Sequence, residues 1–148
     1  LSVWRSQGWD PGAVVVNFGA NDVGLCQYKP EPLADCAYNA IAHLVNAIGP
    51  GKRIWWPKIT RFPLNRPSMD AWNAALDRMA AERPDFFTWD WPTVMYTQVG
   101  NYAGDHTHLS PTGYRERSRL MAIEITAAPP MTQTLYTRVM AITPMFSP

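Results

Sequence analysis

Residues 13–18, AVVVNF, form a continuous β-branched run, followed after a loop by LADCAYNAIAHLVNAIG, in which Leu33, Ala37, Ala40, Ile41, Leu44, Val45 and Ile48 recur at helical spacing. The run predicts a strand covered on both faces, as strands of parallel sheets are, and the stripe predicts an amphipathic helix stopped by Gly49-Pro50. The same pairing then repeats. KRIWWPKI (52–59) is a second predicted strand with Pro57 at its end, since proline cannot donate to a ladder. Ser68 is the expected cap of MDAWNAALDRMAAER, whose Trp72, Ala75, Leu76, Met79 and Ala80 make an apolar face ahead of Pro84. DFFTWDW (85–91) is a third strand, and Ser110 with Pro111 opens a last helix, PTGYRERSRLMAIEI. Strands alternating with helices predict a parallel α/β sheet with helices on both faces, where working residues lie in loops at the carboxyl ends of the strands.

With 148 residues the chain fits one domain. AAPP (127–130) sets off residues 127–148 as a Pro-containing C-terminal extension, a short strand or an attachment arm. A net charge of +1 with 17% charged residues argues against nucleic acid as a partner and against an acidic tail. No apolar run approaches the roughly 20 residues that span a bilayer. The opening LSVWRSQGWD lacks the charged start and apolar stretch of a signal peptide and has no initiating Met, so the chain reads as a mature or truncated product.

The two cysteines, Cys26 and Cys36, have nine residues between them, a spacing that matches no zinc pattern. A disulfide closing this short Pro-rich loop is the favoured reading, and it implies an oxidising compartment, secreted, periplasmic or on the cell surface. Two free buried cysteines are the alternative.

Two polar clusters follow strands. In GDHTHLSPTGY, Asp105 and His108 are three apart, close enough for the carboxylate to fix one imidazole nitrogen and leave the other as a base. A metal site from Asp105, His106 and His108 is the rival reading, although no further ligand cluster is evident; His106 otherwise reads as a solvated loop residue, and His43 as a helix-surface or core histidine. In VVVNFGAND, Asn21 follows a strand closely enough to donate its amide to a developing oxyanion, or simply to form an Asn-Asp turn with Asp22.

Taken together, G-x-N-D after a strand and D-x-x-H-x-S-x-x-G-Y before the last helix resemble two of the four sequence blocks of the SGNH, or GDSL-type, serine hydrolases. The resemblance covers most of residues 10–125 in element order. It implies a three-layer flavodoxin-like fold, strand order 2-1-3-4-5, and acyl-ester chemistry through a Ser-His-Asp triad without a cofactor or metal. By matching position His108 is the general base and later acid, Asp105 its orienting partner and Asn21 the side-chain donor of the oxyanion hole, with Gly19 and Asp22 shaping its turn.

The departure is equally specific. The family's Gly-Asp-Ser block and the block carrying its oxyanion-hole glycine are missing, and none of the six serines, Ser2, Ser6, Ser68, Ser110, Ser118 and Ser147, stands in such a context. Residues 1–126 therefore read as the C-terminal part of such a domain, its first strands and nucleophile supplied by an upstream segment of the same protein or by another chain. A degenerate, inactive domain used for binding or structure is the alternative. Candidate substrates are acyl lipids, O-acetylated glycans and cell-envelope esters. Trp55 and Trp56, with Tyr96 and Tyr102, are candidates to line a cleft, against a plain core reading for the two Trp.

Overall fold

A computed structural model describes residues 2–59, 66–90, 99–105 and 108–127. A short helix α1 (Ser2–Ser6) precedes β1 (Ala13–Val15), α2 (Asp22–Cys26), α3 (Leu33–Ile48), β2 (Arg53–Trp55), α4 (Arg66–Glu82), β3 (Phe86–Phe87), a 3₁₀ turn (Val99–Asn101) and α5 (Pro111–Ala127). The strands form one parallel sheet in the order β1-β2-β3, with Val14 opposite Ile54 and Ile54 opposite Phe86.

The regular strands are shorter than their apolar runs, but the hydrogen bonding outlasts them. Val16 N–H donates to Trp55 O at 2.8 Å, Trp56 N–H to Phe87 O at 2.9 Å, and Lys58 N–H to Trp89 O at 3.2 Å. Donors alternate in direction along a strand, so the missing N–H of Pro57 falls on the β1 side, where the ladder has ended.

Successive side chains on a strand point to opposite faces, and here the two faces meet different layers. Val16, Ile54, Trp56 and Phe86 pack with Ile41, Val45 and Ile48 of α3 and with Trp72, Leu76 and Met79 of α4. On the other face Trp55 and Trp89 pack with Tyr102, Leu109 and, from α5, Leu120, Met121 and Ile125. The result is helix, sheet, helix. Trp55 stacks on Phe87 at 5.2 Å between centroids, and the Arg53 guanidinium lies over both rings.

The cover is incomplete over β1. Contrary to the expectation of a strand buried on both faces, Val15 is 42% exposed and Ala13 is exposed, because the apolar residues of α5 reach only the β2 and β3 part of that face. Among the described residues no strand pairs with the outer edge of β1.

Of the α3 stripe, Ala37, Ile41, Val45 and Ile48 are buried and Leu33, Ala40 and Leu44 partly so, and the helix stops where Gly49 takes φ of 86° and its N–H returns to Val45 O. The Arg5 guanidinium donates to the carbonyls of Ala47 and Ile48 there. For α4 the expected cap is corrected: the helix begins at Arg66, so Ser68 lies inside its first turn, buried, accepting from Gln27 Nε2 at 3.4 Å. Ser110 does cap α5, its Oγ accepting from Gly113 N–H at 3.1 Å. The proposed extension 127–148, Ala127 apart, lies outside the described residues, as do His106 and Tyr96.

Candidate active site

The loop after β1 is fixed from beneath by two indoles. Trp56 Nε1–H donates to Phe18 O at 2.9 Å, and Gly19 rests on the ring of Trp72. Gly19 is buried with φ of 122°, in the region that side chains avoid, and a Cβ there would lie 2.5 Å from Trp72 Nε1. Only glycine fits this corner. Its carbonyl accepts from Val23 N–H at 2.9 Å and so starts α2.

Asn21 sits at the N-cap position of α2 and is exposed, yet its side chain makes no cap hydrogen bond to the helix. Its main-chain carbonyl accepts from the N–H of Gly24 and Leu25. Asp22, also exposed, opens the helix. The far end of α2 is tied to α3 by the Cys26–Cys36 disulfide, with 5.7 Å between the Cα atoms. Both cysteines are buried.

The second loop is closed by a short antiparallel contact. Tyr102 bridges Leu109, and Ala103 N–H donates to His108 O at 2.8 Å. Inside it the Asp105 carboxylate accepts twice from His108, from the main-chain N–H at 2.9 Å through Oδ1 and from Nδ1 at 2.6 Å through Oδ2. A carboxylate facing Nδ1 requires the proton on that nitrogen, so in the neutral ring Nε2 carries the lone pair. The imidazole is 72% exposed and the carboxylate 51%.

Asn101 and Gly113 hold this loop against α5. The carbonyl of the buried Asn101 accepts from Ser110 N–H at 2.8 Å, and a Cβ on Gly113 would fall 2.0 Å from that same oxygen. Gly113 was legible as a motif position; its partner, twelve residues earlier, was not.

The two Trp take the core reading and Tyr102 joins them, whereas Tyr96 lies outside the described residues. Trp55, Trp56 and Tyr102 are buried core residues: Trp56 joins the α3 and α4 side, while Trp55 and Tyr102 join the cluster beneath α5 that supports the histidine loop. Trp55 does border a small cavity of about 140 Å³ with Phe87, Thr88, Trp89, Glu124 and Ala127. His43 is exposed on α3.

Four of the six serines have other partners. Ser6 Oγ donates to Val3 O, Ser118 Oγ to Tyr114 O, and Ser110 Oγ to Gly100 O, while Ser68 is buried against Gln27. Ser147 lies outside the described residues. No group of three or more His, Cys, Asp or Glu suited to a metal ion occurs among the described residues.

A parallel sheet between helical layers, with polar loops beyond the carboxyl ends of its strands, defines a doubly wound α/β protein. Compared with models of known families, residues 2–116 match the GDSL-like Lipase/Acylhydrolase family, and the chain belongs to that family. The activity class that goes with membership is acyl-ester hydrolysis. No curated protein matches the chain.

Proposed function

We propose that this chain is the histidine-bearing part of a serine esterase, with His108 as general base and acid, Asp105 as its orienting partner and Asn21 as an oxyanion donor. The observation that carries the reading is the double grip of Asp105 on His108, which leaves Nε2 as the basic nitrogen. Nε2 takes the proton of a serine hydroxyl as its oxygen attacks the acyl carbon. The tetrahedral oxyanion accepts from the Asn21 amide; collapse breaks the bond to the alcohol, which leaves with the proton from His108, and water then releases the acid by the same steps.

The serine itself comes from a segment outside these 148 residues. Supporting this are the structural bonds of Ser6, Ser110 and Ser118 and the bare edge and face of β1, which a further strand and helix would cover. The buried disulfide favours an extracytoplasmic setting, and no helix among the described residues is long and apolar enough to cross a membrane.

The test uses the complete gene product and a fluorophosphonate probe. Labelling is expected at a serine beyond this chain, and Asn21→Ala should lower turnover of a p-nitrophenyl ester by about 10²–10³-fold. Full turnover in Asn21→Ala would remove that residue from the site. Absence of labelling and of turnover in the complete protein would favour an inactive binding module instead.

A further inference from the structure

Trp55, Trp56, Trp72 and Trp89 are all buried, yet their ring nitrogens fare differently. Those of Trp55, Trp72 and Trp89 have no hydrogen-bond partner among the described residues, whereas Trp56 Nε1–H donates to the main-chain oxygen of Phe18 at 2.9 Å. An indole fills this core at three places without a partner for its nitrogen, so packing alone does not call for the bond to Phe18.

That bond takes over where the sheet gives out. Val16 N–H donates to Trp55 O, and beyond it Pro57 has no N–H with which to extend the ladder toward β1. Among the described residues the next hydrogen bond between the two segments is the one from the Trp56 indole, three residues before Asn21. Gly19 then rests on Trp72, its carbonyl takes Val23 N–H, and Asn21 follows at the N-cap position of α2. The main chain of Trp56 is itself held on the other side, its N–H donating to Phe87 O at 2.9 Å. One residue thus ties the loop of Asn21 to the middle strand of the sheet.

We infer that Trp56 is a positioning residue of the ester reaction, its indole N–H fixing the loop from which Asn21 donates to the oxyanion. The inference rests on the esterase reading and on Asn21 as that donor. Trp56 is 1% exposed and cannot touch a substrate, so it acts through Asn21 alone. A donor aimed at charge that develops only in the transition state loses its effect when displaced, and the loss falls on kcat while KM is spared.

The experiment measures kcat and KM for p-nitrophenyl butyrate in the complete protein, in Trp56→Phe, in Asn21→Ala and in the two combined. Trp55→Phe is the control, truncating the neighbouring buried indole that has no bond to lose. Trp56→Phe should lower kcat about tenfold with KM unchanged, since small misplacements of a catalytic group are costly. The loss caused by Asn21→Ala should be about tenfold smaller in the Trp56→Phe background and undiminished in Trp55→Phe, because only residues that act through one another fail to add. Losses that multiply in both backgrounds, or shrink equally in both, would reduce Trp56 to a core filler, as would an unchanged kcat in Trp56→Phe. If Trp56→Phe does not fold, benzothienylalanine at position 56 keeps the ring shape with sulfur in place of the N–H and is read by the same criteria. Full turnover in Asn21→Ala would remove the inference together with Asn21 and leave the esterase reading standing; no turnover by the wild type would remove all three.

Discussion

Gly19 touches the indole of Trp72 so closely that no side chain can be added between them. The loop bearing Asn21 is thus set directly on the core, with no intervening layer. Gly19→Ala would combine an avoided φ with overlap against a buried ring, a loss of roughly 2–5 kcal/mol when strain and overpacking are taken together. Urea unfolding of the complete protein checks this. A midpoint equal to wild type would mean that the loop lifts off Trp72 at little cost.

The Asp105 and His108 side chains are largely in solvent, so changing the carboxylate should alter chemistry far more than stability. Asp105→Asn offers Oδ1 to the main-chain N–H but can present an amide to Nδ1, favouring the wrong tautomer. Ester turnover should fall by roughly 10³-fold or more at an almost unchanged unfolding midpoint. Equal effects on both would reduce Asp105 to a loop brace.

The disulfide closes a loop of ten residues in sequence separation. In the chain-entropy picture its removal costs about 2–3 kcal/mol. Cys26→Ser with Cys36→Ser should show that loss in denaturant titrations, and intact mass with alkylation before and after reduction should find no free thiol in the oxidised wild type.

Glu82 predicts an acid limb. It accepts from the Tyr38 hydroxyl and from Arg78 at 2.8 Å, joining α3 to α4. The Tyr38 bond foremost, then Arg78, holds its carboxyl below the usual value although burial pushes the other way. A carboxyl depressed in the folded state stabilises fully above its unfolded value and loses that contribution as pH falls through the folded one. Stability should therefore decline on the acid side of about pH 4, and Tyr38→Phe should flatten that decline. Denaturant midpoints at stepped pH measure both slopes; parallel curves would discount the contact.

Local patterns carried the helices well. The α3 stripe from Leu33 to Ile48 needed only its own spacing to be read, because the face that a helix buries is written every three or four residues. Strand β1 marks the opposite case: AVVVNF predicts a strand that can be covered on both faces, but which neighbours cover Val15 depends on residues elsewhere in space. Trp55 and Trp56 show the same limit, adjacent in sequence and assigned by the pleat to separate cores. Ser68 failed as a cap since the α-helix starts two residues earlier, and a serine signals a cap only if the chain turns there. In the candidate site, Asp105, His108, Gly19 and Asn21 were visible as motif residues. Their supports, Trp72 under Gly19 and Asn101 against Gly113, are contacts across long stretches of chain that no short pattern encodes.

Trp56 and Trp72 meet edge to face, 6.1 Å apart and inclined by 63°, and each also holds one residue of the loop before Asn21. Two indoles at that separation couple their electronic transitions, so the pair should contribute an exciton band to circular dichroism whose sign and size follow their mutual angle. Any ligand that shifts Phe18 or Gly19 must disturb one ring relative to the other. The core thus doubles as a built-in optical gauge of the loop, readable in unlabelled protein during binding or turnover.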